Sequence, residues 1–208
     1  KTTDENIGDR PFYYWDIFVD PQDEDRIYTL FSRVNKSENG GMNFESFMRS
    51  SIHPDHHAWY IHPTNSDFMI DGNDGGLAIT HDRGASWRFA TNIPVGQFYH
   101  INYDMEWPYN VYGGLQDNGS SAGPSSKADG SAITLEDWYN TGGGDGMYNV
   151  VDPNNWRFVY NESQNGPISR LNQETGESKS IRFREMDRWA WNAPILISPH
   201  NSKTIYHA

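Results

Sequence analysis

A short pattern recurs along this chain: an apolar strand ends in a polar residue, a brief polar turn follows, and an aromatic strand comes next. The residues that end the first strand of each copy are Asp20, His62, Asp104, Asp152 and Ser198. Their successive steps are 42, 42, 48 and 46 residues, and proline follows in every copy except that of Asp104. A period of this size indicates one supersecondary unit repeated in tandem, with each copy packing on its neighbours.

The length of the repeat predicts a four-stranded β-propeller blade rather than a β-sandwich or a jelly roll. In the best-defined copy, four short strands are expected at Ala58–Ile61, Phe68–Asp71, Leu77–Thr80 and Ser86–Ala90. Glycine-rich turns separate these strands, as in antiparallel hairpins. Glycine or proline interrupts every candidate helix. The predicted fold class is therefore all-β, a propeller of four-stranded antiparallel blades.

The repeats also set the expected domain organisation. Blades are predicted at approximately 11–50, 56–91, 97–140 and 146–184, with an incomplete fifth at 192–208. We expect residues 1–208 to be part of one propeller domain within a longer protein, whose remaining blades would be partners of this piece. The Ser- and Gly-rich stretch Gly119–Gly130 is predicted to be an inserted loop that lengthens the third repeat.

Charge and composition exclude several classes of partner. The 28 acidic residues against 16 basic ones give a net charge of −12, which repels the phosphate backbone of nucleic acids and anionic membrane surfaces. No uninterrupted apolar run approaches the length of a membrane-spanning helix, so membrane insertion is not expected. The absence of cysteine excludes disulfides and thiolate metal sites.

Alternating strand direction sorts the loops onto two ends of each blade. We call the residues that lead into the first strand of a blade its entry segment, and the turn between its second and third strands its inner turn. These two must lie at one end, which we call the loop end. The turns after the first and third strands lie at the opposite end, which we call the hairpin end. Most of the chemically rich segments fall on the loop end.

The segment Thr80–Trp87 is predicted to be a tight turn at the hairpin end. Asp82 can cap turn amides, Gly84 can take a positive φ, and Trp87 can anchor the next strand in the core. Together with Thr80 and Ser86, these residues resemble the Asp-box signature. In that signature a Ser or Thr is followed at fixed spacing by Asp, by Gly, by a second Ser or Thr, and by Trp. Their expected role is structural.

A wider set of motifs resembles bacterial sortilin-like or BNR-repeat propeller proteins, which are related to xyloglucan-cleaving glycoside hydrolases. Besides the Asp box, the motifs are His53–His57, Asn73–Gly76, Gln97–Tyr99, Gly113–Gly119 and Gly142–Gly146. The resemblance spans roughly residues 11–208. It implies a large, exported, multi-blade protein that is secreted, periplasmic or on the cell surface. It leaves open whether the protein is an enzyme.

The loop end contains candidates for glycan chemistry. Glycoside hydrolysis requires two carboxylates flanking the bond, and the candidates are Asp74, Asp117 and Asp145. Candidate binding residues are Gln97, Tyr99, Gln116, Asn118, Trp191 and Asn192. Trp59, Trp138, Trp189 and Trp191 provide sugar-stacking faces if they are exposed, although a tryptophan in a propeller is more often a core residue.

A second cluster suggests metal binding. Imidazole and carboxylate groups suit Zn, Mn, Fe or Ni better than Ca, and the candidate ligands are His53, Asp55, His56 and His57. Adjacent residues of a strand point to opposite sides, so His56 and His57 are expected to diverge. No cofactor is required by the sequence, and a divalent metal is the one candidate.

Three functions follow from these sites. The first is an extracytoplasmic propeller that recognises a polysaccharide or a protein at its loop end. The second is a glycoside hydrolase that cleaves a β-linked polysaccharide with paired carboxylates. The third is metal-dependent activity at His53–His57.

Overall fold

The computed structural model describes residues 4–8, 13, 16–48, 52–181 and 188–208. Within these ranges the chain forms eighteen β-strands and two single 3-10 turns, Glu5–Ile7 and Leu135–Asp137. No helix in the described part of the chain is long and apolar enough to cross a membrane. The blade limits expected at residues 11–12, 49–50 and 182–184 lie outside the described residues.

The strands form four four-stranded sheets and one two-stranded sheet, which we number blades 1 to 5. Blade 1 contains β1 (Ile17–Asp20), β2 (Asp23–Leu30), β3 (Val34–Glu38) and β4 (Glu45–Ser46). Blade 2 contains β5 (His56–His62), β6 (Asn65–Asn73), β7 (Gly76–Thr80) and β8 (Arg88–Phe89). Blade 3 contains β9 (Phe98–Tyr103), β10 (Asn110–Leu115), β11 (Ser120–Pro124) and β12 (Tyr139–Gly142). Blade 4 contains β13 (Gly146–Val151), β14 (Phe158–Ser163), β15 (Ile168–Asn172) and β16 (Ser178–Ile181). Blade 5 contains β17 (Ile195–Ser198) and β18 (Asn201–His207).

The predicted fold class is confirmed. Each sheet holds its strands in chain order, and every neighbouring pair is antiparallel. The strands of blade 2 lie where the sequence pattern placed them, although β8 is shorter than expected. The interpretation of Gly119–Gly130 as a loop is wrong in its first half, because Ser120–Pro124 pairs with both β10 and β12. The connection that lengthens the third repeat follows β11 instead, between Pro124 and Tyr139.

The chain divides into two compact units, Lys1–Ile93 and Pro94–Ala208. In the first unit, blades 1 and 2 share a core made of Tyr28, Leu30, Val34, Trp59 and Met69. A buried side chain of this size contributes about 2 kcal/mol to stability. The shared core explains why the two sheets form one unit.

In the second unit, blade 4 is covered on both faces. Val159 of β14 joins Tyr112 and Ala122 of blade 3 in one core. The next residue, Tyr160, joins Ile195 of blade 5 in another. Adjacent strand residues point to opposite faces, so the central sheet of this unit packs between its two neighbours, as a propeller blade does.

The recurrent polar residue has the same local role in all five copies. Its side chain accepts a hydrogen bond from the backbone amide two residues later, a turn cap that Asp and Ser commonly provide. The five pairs are Asp20 with Gln22, His62 with Thr64, Asp104 with Glu106, Asp152 with Asn154, and Ser198 with His200. The period read from the sequence is therefore the period of the first hairpin turn.

Blades 3 and 4 approach each other backbone to backbone. A Cβ atom added to Gly114 of β10 would overlap the carbonyl group of Gly146 of β13. A Cβ atom on Gly146 would in turn overlap the carbonyl group of Gly119. The contact therefore requires residues without side chains on both blades.

The Asp-box segment is a hydrogen-bonded turn centred on Asp82. Its carboxylate accepts hydrogen bonds from the Thr80 hydroxyl at 2.7 Å and the Ser86 amide at 2.8 Å. The Ser86 hydroxyl donates a further bond, and these bonds lower the pKa of Asp82 to about 2. Gly84 has a φ of +83° and donates its amide to the Thr80 hydroxyl.

This turn also joins the hairpin end of blade 2. The Arg83 amide donates to the carbonyl of Asp67, next to the first hairpin turn, at 3.0 Å. Trp87 packs against the first-unit core, with its ring centroid 5.6 Å from that of Trp59. The third-strand loop and the first hairpin turn therefore share one end of this blade, as the strand directions predict.

We predict that Gly84→Ala destabilises the protein by clearly more than Gly176→Ala. Both glycines lie in third-strand loops at positive φ, where alanine costs about 1–2 kcal/mol. At Gly84 the new methyl group would also overlap the Phe47 ring, whereas nothing lies near Gly176. Urea unfolding monitored by tryptophan fluorescence measures both free energies. Equal losses of unfolding free energy in the two variants would show that overlap with Phe47 does not destabilise Gly84→Ala.

Candidate functional site

A chain of hydrogen bonds holds the loop end of the second unit together. Each bond joins an inner turn to an entry segment. The bonds run from the amides of Gln116, Gly119, Gln164 and Asn165 to the carbonyls of Gln97, Gly144, Asp145 and Trp191, with lengths of 2.8 to 3.0 Å. The predicted sorting of entry segments and inner turns to one end is confirmed within this unit. We use the name loop end below for these segments of the second unit.

Three consecutive blades contribute to a polar and aromatic cluster at this end. The imidazole of His100 on β9 stacks on the ring of Tyr148 on β13, with centroids 3.9 Å apart and an interplanar angle of 18°. Asn192, in the entry segment of blade 5, places its Nδ2 atom 2.8 Å from Nε2 of His100. The contact orients the imidazole and fixes Asn192, which was one of the predicted binding residues.

The other predicted binding residues of this unit lie in or next to the inner turns and entry segments that the backbone hydrogen bonds join. Gln97 and Asn118 are exposed, while Tyr99 and Gln116 are half-buried. Asn118 donates its side-chain amide to the carbonyl of Gln116 at 2.9 Å. The structure therefore brings neutral amide side chains to a surface whose backbone is held by hydrogen bonds.

The four tryptophans proposed as stacking faces differ in environment. Trp59 is buried in the core of the first unit, so it does not reach a ligand. Trp138 is half-buried against Gly123, and Trp189 stacks on His207 at a centroid distance of 4.0 Å. Trp191 is 52% exposed, so much of its surface is accessible to a ligand.

Asp145, one of the predicted catalytic carboxylates, is 8% exposed and serves as a turn cap. Its Oδ1 atom accepts the backbone amide of Asp117 at 2.6 Å, and its own amide donates to Oε1 of Gln164 at 2.9 Å. Asp117 is half-buried with a φ of 59°. The bond links the inner turn of blade 3 to the entry segment of blade 4.

Asp74, the third predicted carboxylate, belongs to the first unit. Its Oδ1 atom lies 2.9 Å from Nε2 of His57. Its amide donates to the carbonyl of Asp55 at 3.1 Å, so the inner turn and the entry segment of blade 2 are joined as in the second unit.

The histidines proposed as metal ligands point in different directions. His56 is buried and bonds Asp71, whereas His57 is exposed and pairs with Asp74. Nδ1 of His53 lies 3.0 Å from the carbonyl of Pro54. Within the described ranges, no three of His53, Asp55, His56 and His57 bring their ligand atoms within 4.8 Å of one another. The expected divergence of His56 and His57 is confirmed.

Glu162 of β14 is the titratable residue that the sequence reasoning did not single out. It is 1% exposed, and burial raises its pKa to about 7 although the backbone of Tyr148, Ala193 and Gly166 opposes the shift. Its Oε1 atom has no hydrogen-bond partner among the described residues. The residue sits where the second strand enters the inner turn, and no local motif distinguishes it.

No protein-family model matches the sequence, and a comparison with curated proteins finds no match. Solved structures with similar folds include a GH74 enzyme of Niastella koreensis, with a TM-score of 0.37 and 16% identity over 93% of this chain and 33% of that one. The GH74 xyloglucanase of Xanthomonas campestris gives a TM-score of 0.37 and 14% identity over 94% and 34%.

A third similar structure is the extracellular domain of a hybrid two-component system protein of B. thetaiotaomicron. Its TM-score is 0.38, with 12% identity over 90% of this chain and 26% of that one. The chain spans between about a quarter and a third of the length of these proteins. Identity at this level does not transfer an activity, so the function must be argued from the residues of the site.

We predict that Glu162→Gln removes a pH-dependent part of the stability. Since burial raises the folded-state pKa of Glu162 from 4.5 to about 7, the folded protein binds the proton more tightly than the unfolded chain does. The stability of the wild type relative to the variant is then greatest below pH 4.5. It falls by about 3 kcal/mol as the pH rises to about 7.

Urea unfolding of both proteins between pH 4 and pH 8 measures this difference. The matched control is Glu174→Gln, at an exposed glutamate that pairs with Arg157. A difference between wild type and Glu162→Gln that does not change with pH would show that the pKa of Glu162 is the same in the folded and the unfolded protein.

Proposed function

We propose that the loop end of the second unit binds a neutral polysaccharide. The observation that carries the proposal is the exposure of Trp191, whose backbone carbonyl accepts the Asn165 amide at 3.0 Å. A sugar ring has an apolar face that packs on an aromatic ring, and its hydroxyl groups need hydrogen-bond partners. An exposed indole on a hydrogen-bonded backbone meets the first requirement.

Other side chains at the loop end support the second requirement. Gln97 and Asn118 offer exposed amides, each with donors and an acceptor, and Phe98 adds a second exposed ring. Neutral amides suit a neutral, hydroxyl-rich ligand. The net charge of −12 disfavours polyanions at the same surface.

We propose further that the protein acts outside the cytoplasm as part of a longer propeller that includes additional blades. The support for this is the set of loop motifs that resembles exported BNR-repeat proteins. A protein ligand at the loop end is the other form of the recognition function, and the binding experiment below separates it from a glycan.

Glycoside hydrolysis is the alternative, and it has weaker support. In the second unit the carboxylate of Asp145 is buried and already accepts the Asp117 amide, so it is poorly placed to reach a substrate. Metal-dependent activity at His53–His57 also has weaker support, because His56 and His57 bind different carboxylates.

We predict that Trp191→Ala weakens binding of a soluble neutral β-linked polysaccharide, such as xyloglucan or mixed-linkage β-glucan, by about tenfold or more. The matched control is Trp107→Ala, because Trp107 is 92% exposed but follows β9 at the hairpin end. Isothermal titration calorimetry measures both affinities, and reducing-end analysis of the same mixtures detects cleavage.

Release of new reducing ends would establish the hydrolase alternative. Binding that is lost equally in both tryptophan variants would contradict the assignment to the loop end. Failure of all neutral polysaccharides to bind would overturn the glycan proposal and leave a protein ligand as the form of recognition to pursue.

A further inference from the structure

A cavity of about 470 Å³ lies in the first unit, and no part of the proposed function uses it. Its volume is within the range of small-molecule sites. The residues that line it come from blade 1, from the segment that leads into blade 2 and from the first residue of β5. They are Ser32, Arg33, Ser46, Met48, Ile52, Pro54 and His56.

A buried carboxylate orients the histidine of this cavity. Nδ1 of His56 lies 2.9 Å from both carboxylate oxygens of Asp71, which is fully buried. Asn73 donates its side-chain amide to Asp71 Oδ2 at 2.8 Å. The Nδ1 proton is therefore directed to Asp71, and Nε2 is the ring atom left for another partner.

Nε2 of His56 has no hydrogen-bond partner in the part of the chain that the structure describes. The His56 side chain is 3% exposed, and it lines the cavity. A polar ring atom of such a side chain can form a hydrogen bond with a ligand held in the cavity.

Arg33 defines the charge of a suitable ligand. It lines the cavity, is exposed, and forms no ion pair with the described residues. A guanidinium group binds carboxylates well and repels cations. Among the described residues no carboxylate lines the cavity, so a metal ion would find one imidazole and a nearby positive charge, which is a poor ligand set.

The rest of the lining is small or apolar. Met48, Ile52 and Pro54 offer a surface for hydrocarbon groups, and Ser32 and Ser46 supply hydroxyl groups. The lining therefore combines a cationic group, an imidazole and an apolar wall in one cavity.

We propose that this cavity binds a small organic monocarboxylic acid, with its carboxylate between Arg33 and His56 and its apolar body against Met48, Ile52 and Pro54. In the bound state His56 keeps its Nδ1 contact with Asp71, and its Nε2 atom forms a hydrogen bond with the carboxyl group of the ligand. The proposal is independent of polysaccharide binding, which uses the second unit.

The test uses benzoate as the probe and benzamide as its neutral counterpart of the same shape. Titration of the isotopically labelled protein, followed by NMR, should show saturable shifts of the His56 ring signals with benzoate. Benzamide should bind at least tenfold more weakly, because it lacks the charge that Arg33 recognises.

Arg33→Gln should weaken benzoate binding by about tenfold. The control is Arg88→Gln, which should leave benzoate binding unchanged, because Arg88 is an exposed arginine of the first unit that does not line the cavity. Arg33 is exposed and unpaired among described residues, so its replacement preserves the fold and keeps the test valid if His56→Gln fails to fold. Absence of saturable His56 shifts, equal binding of benzamide, or unchanged affinity in Arg33→Gln would each overturn the proposal.

Discussion

A sheet with apolar side chains on both faces is stable only when another sheet covers each face, and this constraint organises the second unit. Val159 and Tyr160 are neighbours on β14 but belong to different cores, one shared with blade 3 and the other with blade 5. Each blade therefore depends on the next one for its stability. The packing covers both faces of blade 4, so a binding surface on this blade must be built from turns and entry segments at the ends of its strands.

The loop end is rigid because its backbone groups bond each other. Inner turns donate to the entry segments of the same blade or the next one, which holds the backbone of residues such as Trp191 in place before a ligand arrives. Less conformational entropy is then lost on binding. The same construction uses Asp145 as a hydrogen-bond acceptor within the scaffold. An acidic residue in a loop of this kind can therefore be a structural component rather than a catalyst.

The sequence was sufficient to predict the blade architecture, because the repeat reflects local chemistry. Asp20 and its four counterparts cap an amide two residues away, so the signal and the structure it produces are adjacent in the chain. The divergence of His56 and His57 could be predicted for the same reason. Strand β11 could not be predicted from the sequence, because its Ser- and Gly-rich residues have little strand propensity. Its pairing with β10 and β12 decides its conformation.

The contacts that define the candidate sites were not predictable, because they join residues that are far apart in sequence. His100 and Asn192 are separated by 92 positions, and the stack on Tyr148 has no local signature. Asp71 was predicted to end the second strand of blade 2, and nothing in the sequence indicated that its carboxylate orients His56, fifteen positions earlier. Burial of Glu162 depends on the packing around β14, and burial in turn sets its pKa.

The glycine contact between blades 3 and 4 has a consequence for how such a chain can evolve. Tandem repeats diverge by independent substitution in each copy, but Gly114 and Gly146 face backbone atoms of the other blade and leave no volume for a side chain. A substitution on one blade cannot be accommodated by a smaller residue on the other, since both are already glycine. Glycine is therefore required at both positions of this junction. New specificity in these two blades must arise from residues in the loops on either side of it.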